Sequence, residues 1–349
     1  MSSFNLSVSD IAPADWDAYV SAHADASVYH TARAIGIGAR AFGLRTHYVY
    51  ARTVGGRIRG VLPLIEQTII PWTRTLVSVP FFTYGGPIAD DEATIEALVS
   101  ASENLAVERD VRRIVLRMSR SVPSVNHQPE TAKVSMVLEL PSTTAELASG
   151  LGSKLRSQIK RAERVMPEVQ IGHLELLGDF YPVFCSVMRD LGTPVYPRRF
   201  FEAVLEALGN QASLLIVRVA GEAVSGAVAV KWRDSMEVPW AATLHRMNPS
   251  AVNMRLYWEL LQFAVLKNCR LFDFGRCSRD VGTYRFKAQW GARPVQLHWL
   301  TRVPGAANQS MSESHSARNQ FGALVNVWRR MPLPMTNWLG PRISHRLPW

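Results

Sequence analysis

The 349-residue sequence predicts a mixed α/β (α+β) protein built as two successive units, each a central mixed sheet flanked by helices. Three observations predict this. The chain is longer than one hydrophobic core ordinarily supports and fits two domains of usual size. The same order of elements, hairpin, strand, helix, strand, is written twice along it. A break rich in proline, serine and threonine separates the two copies.

In the first half, His47–Thr53 and Arg57–Thr68 read as strands flanking the Gly55-Gly56 turn. Leu76–Phe82 is the next strand, a helix follows Asp90-Asp91 to about Glu108, and Arg113–Met118 is the strand after it. In the second half, Ser213–Val219 and Ala223–Trp232 flank Gly221. Met236–Thr243 follows as a strand, a helix runs from about Asn253 to Lys267, and Leu271–Phe274 closes the set. Residue identity between the halves is slight, so the repeat is one of structure. The first unit is expected to end after the strand Lys133–Leu140, where Pro141-Ser142-Thr143-Thr144 can stop one element and cap the next helix. The expected units are therefore 1–141 and 142–303. Residues 304–349 read as a flexible linker to about residue 320, then a basic, tryptophan-bearing tail.

With 47% hydrophobic and 19% charged residues, the composition is that of a globular protein with ample core. The net charge of +10 favours anionic partners such as phosphates, nucleic acid or an acidic membrane, without choosing among them. Cys185, Cys269 and Cys277 leave an odd cysteine over and lack metal-knuckle or redox spacing, which fits a reducing cytoplasm. The N-terminus lacks a basic start followed by an apolar run, and eighteen uninterrupted apolar residues occur nowhere. Neither a signal peptide nor a spanning helix is expected. The scattered histidines form no His-Glu-x-x-His, and no serine elbow is present, so metal-enzyme and hydrolase readings lack support.

The chemistry is expected where an apolar strand ends in Phe272-Asp273-Phe274-Gly275-Arg276, followed by Gly282-Thr283-Tyr284-Arg285-Phe286-Lys287-Ala288-Gln289-Trp290-Gly291. An acid, a glycine and an arginine at a strand end, then one lysine among aromatics, read as the floor and wall of a site. Asp273 has two readings: a base for an attacking ammonium, or a residue that orients Arg276. Lys287 is read as an exposed site lysine; its bland alternative is an ion pair with Asp273 or Glu259.

This ending resembles the Fem family of peptidoglycan-bridge aminoacyltransferases, in particular FemAB-related proteins found with exosortase and exopolysaccharide gene sets. Further segments carry the resemblance: Val79 to Gly86, Ser153 to Arg161, Met188 to Tyr196, Pro239-Trp240-Ala241 and Asn253 to Trp258. The resemblance implies two tandem domains of the acetyltransferase (GNAT) type. It also implies transfer of an aminoacyl or acyl group from an activated donor to an amine of a cell-envelope, exopolysaccharide or peptidoglycan precursor. On this likeness Phe286 and Lys287 match the family's Phe-Lys pair, and Lys287 would stabilise the oxyanion formed when the amine attacks. No tightly bound cofactor is expected. Aminoacyl-tRNA is the favoured co-substrate, and the acceptor would be a nucleotide- or lipid-linked anion. An acyl-CoA or acyl-carrier-protein donor stays open, because the family's long coiled-coil arm has no counterpart between Leu140 and Ser213. A non-catalytic module that binds a glycan precursor is the rival from another class.

Other candidates are placed by pattern, and the phosphate, donor and acceptor roles given to them are what the resemblance implies. In the predicted helix Leu151–Val165, Leu155, Ile159 and Ala162 continue an apolar stripe begun by Leu151, leaving Lys154, Arg156 and Arg161 as a solvated basic face or a phosphate grip. Asn253 is placed to cap its helix, whose N-terminus would hold an anionic donor together with Arg276. The Arg/Gln-x-x-Gly-x-Gly/Ala loop usual for acetyl-CoA is missing, and Arg246 to Val252 occupies its place. Tyr84 and Gly85 mark either a turn needing positive φ or an acceptor contact. Arg189 and Tyr196, around the helix stop at Gly192 and Pro194, are further acceptor candidates. The tail from 321 to 349 suits either a membrane interface or packing onto the protein.

Overall fold

The computed structural model describes residues 4–70, 72–123, 125, 133–279, 281–304, 322 and 324–347. It divides into two units, each built on a seven-stranded mixed sheet. The mixed α/β class and the doubling of one plan are as expected from the sequence. Apart from Pro304, the expected linker 304–320 lies outside the described residues.

The first unit comprises β1 (Phe4–Ser9), β2 (Arg45–Thr53), β3 (Ile58–Ile69), β4 (Thr73–Val77), β5 (Ile88–Ala89), β6 (Arg113–Met118) and a strand from late in the chain, β14 (His298–Arg302). Its helices are α1 (Trp16–Ala22), α2 (Ala32–Ile35), α3 (Ile37–Phe42) and α4 (Glu92–Glu108). The sheet order is β1-β2-β3-β4-β6-β14, with β5 on β3; β4 and β6 run parallel and β14 is antiparallel to β6. Asp91 caps α4 by accepting from Thr94 N at 2.8 Å, and Ile95, Leu98, Val99 and Leu105 bury its inner face. The predicted strand Leu76–Phe82 stops early, at Val77, because Val79 and Phe81 take positive φ.

The second unit holds β7 (Lys133–Glu139), β8 (Glu168–Gly172), β9 (Ala212–Val219), β10 (Glu222–Trp232), β11 (Ser235–Thr243), β12 (Leu271–Ser278) and β13 (Arg293–Gln296). Its helices are α5 (Thr144–Ser149), α6 (Ser153–Glu163), α7 (Leu177–Leu191), α8 (Arg198–Leu208), α9 (Val252–Leu266), α10 (Gly282–Ala288) and α11 (Leu333–Ile343). The sheet order β13-β7-β12-β11-β10-β9-β8 repeats the first plan: a parallel pair, β11 and β12, with an antiparallel strand, β7, outside it. Buried residues lie all round α9, which is sandwiched between the sheet and α6.

Two strands change sides relative to the expected boundary at residue 141. β7 pairs with β12, so residues 133–141 belong to the second unit, while β14 pairs with β6 and belongs to the first. The reason is backbone pairing: the outer edge of each parallel pair needs a partner strand, supplied by β7 at the start of the second unit's stretch and by β14 from far beyond the first unit's. The described residues between 322 and 344 also group with the second unit, so this part of the expected tail belongs to a folded body.

In the first unit His30 is buried and tied at both ring nitrogens. Ser27 N donates to Nδ1 at 3.0 Å, so the proton sits on Nε2, which donates to Gly86 O at 2.9 Å. Burial pushes its pKa down from 6.5 to about 4. The unfolded chain therefore takes up a proton from pH 6.5 downward while the folded form resists until about 4, and stability is lost as pH falls through that window. At 1.36 kcal/mol per unit the loss is roughly 3 kcal/mol. Urea unfolding from pH 7 to 4 should show it, with a shallower loss in His30→Gln; identical slopes would refute the assignment.

Candidate active site

The parallel pair in each sheet begins together and then separates. In the second unit β11 and β12 are in register from Ser235/Leu271 to Glu237/Asp273, and both strands continue beyond their last paired residues. β12 then bulges: Asp273 faces Val137 and Arg276 faces Ser135, so three steps on one strand match two on the other. Gly275 supplies the bulge at φ +76°, and a Cβ there would meet Val238 O at 3.0 Å.

Asp273 is buried at this point. Its Oδ1 accepts from Gly275 N at 2.8 Å and from Ser135 Oγ, so the carboxylate is locked against the bulge it shapes. This geometry supports a positioning role. Its neighbour across the parallel pair, Glu237, is also buried, which places two carboxylates at one register position.

Lys287 reaches the bulge from α10. Its Nζ donates to Gly275 O at 2.7 Å and to Arg276 O at 3.1 Å, committing two of its three N–H bonds. It is only 7% exposed, so the expectation of an exposed site lysine is corrected: the side chain spans from α10 to carbonyls inside the sheet. Burial holds its pKa below the usual lysine value, against the opposing pull of Cys277, Asp273 and Glu237. Glu259, one suggested ion-pair partner, is instead paired with Arg255 at 2.7 Å.

The first unit explains why this position matters. Counting two residues past the last paired position leads to Arg117 in β6 and to Gly275 in β12. Arg117 O accepts from Gly85 N at 3.2 Å and Gly86 N at 2.9 Å, while Ser78 Oγ accepts from Arg117 N at 2.7 Å. The separation of β4 and β6 is thus stitched by the chain itself. In the second unit the equivalent carbonyl is met by an ammonium. Gly85 (φ +156°) serves this closure, consistent with a turn needing positive φ, and Tyr84 is half-buried beside it, with His30 and Arg117 lining the same small cleft.

Phe286 packs edge-on against Tyr257, centroids 4.9 Å apart, and Tyr257 stacks on Phe274 at 5.5 Å. These rings fix α10, and so Lys287, onto α9 and β12. Gln289 Nε2 donates to Met254 Sδ at 3.8 Å, bringing the end of α10 to the start of α9. The expected Asn253 cap is corrected here. The capping position belongs to Ala251, in the left-handed region at φ +55°, and Asn253 is already inside the helix. Its Oδ1 accepts from Thr243 Oγ1 at 3.1 Å, which ties the helix start to the end of β11. Of the first-turn N–H groups, that of Met254 is met by Ala251 O at 2.8 Å.

Leu155, Ile159 and Ala162 of α6 are buried, with α6 packed on α9, and Lys154, Arg156 and Arg161 are exposed. Leu151 precedes the helix, which is shorter at both ends than the expected Leu151–Val165. Arg189 is engaged with Asp190 at 2.7 Å, and Tyr196 packs on Phe200 at 4.7 Å while its carbonyl accepts from Tyr181. Lys287, Asp273, Phe286 and the backbone of Arg276 therefore converge, with Asn253 at the adjoining helix start. Sequence reasoning missed Ser135 and Glu237. Each is a lone polar residue within an apolar strand, and that is the signal that marks them.

Residues 152–288 match the family model described as Acetyltransferase (GNAT) domain. Among solved structures, the chain is similar to FemX, with a TM-score of 0.66 and 13% identity over 85% of this chain and 97% of that one. It is similar to a tandem GNAT protein from the clavulanic acid biosynthesis pathway, with a TM-score of 0.53 and 13% identity over 87% and 100%. It also resembles Saccharomyces cerevisiae N-myristoyltransferase with bound myristoyl-CoA, at 0.51 and 11% over 89% and 87%. A search of curated proteins finds no match. At these identities the structural likenesses speak for the fold. Together with the matched domain they define an acyltransferase on a tandem GNAT framework. The GNAT domain lies in the second unit, where Lys287 meets the bulge.

Proposed function

We propose that the chain is a Fem-type acyltransferase that moves an aminoacyl or acyl group from an activated donor to an amine of an anionic cell-envelope, exopolysaccharide or peptidoglycan precursor. The observation that carries this reading is the buried Lys287 ammonium held on the Gly275 and Arg276 carbonyls. A fixed positive charge in a site shielded from water stabilises the oxyanion of acyl transfer without reorganisation. Asp273 holds the bulge that positions Lys287.

Aminoacyl-tRNA is the first donor to test. The exposed Lys154, Arg156 and Arg161 on α6 and the overall charge of +10 suit a polyanion. A thioester donor is the second reading, favoured by the matched GNAT domain and by the helices between β7 and β9, the longest of which spans 15 residues. The test offers aminoacyl-tRNA and acyl-CoA in parallel with an amine acceptor and follows the mass of the acceptor. Transfer from neither donor, under conditions where the protein binds one of them, would leave only a binding module.

Charge reversal at Lys154, Arg156 and Arg161 is expected to weaken binding of a phosphate-bearing donor. The slope of log affinity against log salt should become shallower by about 2–3 if each side chain neutralises one phosphate. Unchanged affinity and slope would return α6 to an ordinary solvated face.

A further inference from the structure

The C-terminal helical segment packs onto the second unit by one side and leaves apolar side chains on the other. Thr336, Gly340 and Ser344, spaced by four, form the buried side of α11 and its continuation. Gly340 lies so close to Val195 that a Cβ would come within 2.9 Å of its backbone N. In the preceding helical stretch, residues 324–330, Trp328 is buried. These contacts explain why the tail is folded. They do not use Met335, Trp338 or Arg342, which lie on the opposite side of α11 at spacings of three and four and are exposed, Trp338 by 62%. Leu324 and Val327 are exposed on the earlier stretch, with Arg330 beside them.

The charge along this stretch of chain has one sign. Residues 314–349 contain five arginines and not one Asp or Glu. Arg342 lies over the Trp338 ring at 4.3 Å, so an indole and a guanidinium are presented together. An indole suits the level of lipid headgroups, and an arginine beside it reaches the phosphates.

We infer that these exposed side chains, Met335 and Trp338 with Arg342 on α11 and Leu324 and Val327 with Arg330 on the stretch before it, dock on an anionic lipid bilayer. Shallow insertion of the apolar side chains and attraction of the arginines to the headgroups act together, each being weak alone. No helix among the described residues is long and apolar enough to cross a membrane, so the association is one of surface contact. The inference stands apart from the identity of the acyl donor, and its test needs no transfer activity.

The full-length protein is sedimented with vesicles of phosphatidylcholine alone and of phosphatidylcholine mixed with phosphatidylglycerol. Binding to the anionic vesicles is expected, with a loss of about tenfold or more in Met335→Ser/Trp338→Ala and in Arg330→Gln/Arg342→Gln. Near-ultraviolet circular dichroism establishes that each variant is folded; the altered side chains are exposed. The inference is overturned if the wild type binds neither vesicle, binds both equally, or is matched by both variants. Light scattering supplies a further refutation: a wild-type dimer that Trp338→Ala converts to a monomer would make this face an interface between copies.

Discussion

Replacing Lys287 with alanine is expected to slow acyl transfer by about 10²–10³-fold, or about 2.7–4 kcal/mol in barrier, if its ammonium stabilises the oxyanion. The variant should also be less stable. Lys287 donates to both Gly275 O and Arg276 O, and leaving a buried acceptor unmade costs about 1–3 kcal/mol. Transfer must therefore be measured well below the variant's melting temperature, with donor binding followed separately. A folded variant that binds donor and transfers at the wild-type rate would end the assignment. The pH dependence gives an independent reading. Burial lowers the Lys287 pKa from 10.5, so the ammonium, and with it transfer, is lost as pH rises through that lowered value. Over the same interval the unfolded chain keeps its proton, so this group's contribution to stability rises with pH. Activity and stability are expected to move in opposite directions on the alkaline side, and a parallel fall in both would point to unfolding instead.

Gly275→Ala is expected to damage the site without touching a charged group. The residue holds φ +76°, and the new Cβ would press on Val238 O at 3.0 Å. A non-glycine residue in strained backbone costs on the order of 1–3 kcal/mol, and here the backbone cannot relax without moving the carbonyl that Lys287 holds. Melting temperature and transfer rate should fall together. Ala at Gly282, where a Cβ meets nothing within 4 Å, is the control and should change neither. If Gly275→Ala melts and reacts like the wild type, the bulge is not what positions Lys287.

Much of the fold is legible in the sequence, because hairpin, strand and helix are local patterns. Gly55-Gly56 and Gly221 announce the turns, and alternating and helical periodicities announce the elements between them. Which distant strands pair is not local. Lys133–Glu139 reads as a strand, but nothing within it says that its partner is β12, more than 130 residues away, as the Ser135 to Asp273 bond demonstrates. That is why the boundary at 141 falls on the wrong side of β7, and why Ser135 is missed as an anchor of Asp273. Lys287 stands out in the sequence as a candidate from its setting among aromatics. Its burial depends on the reach of its stem into a bulge that Gly275 creates, a property of the assembled sheet. The Asn253 cap fails for a similar reason: Ala251 occupies a left-handed conformation that residue type disfavours, and the helix starts two residues earlier than an Asn253 cap would place it.

The placing of β14 has a consequence for the order in which the protein can finish folding on the ribosome. The first unit is the first to be translated, yet the strand that closes the edge of β6 is made only after roughly 180 further residues have been added. At about 5–20 residues per second that interval is roughly 10–40 s. Throughout it the N–H and C=O groups along that edge of Arg113–Met118 await the partner they have in the native sheet. The nascent first unit thus carries an open strand edge for that time, and release of a chain stopped before residue 298 should yield aggregates rather than a free half-protein.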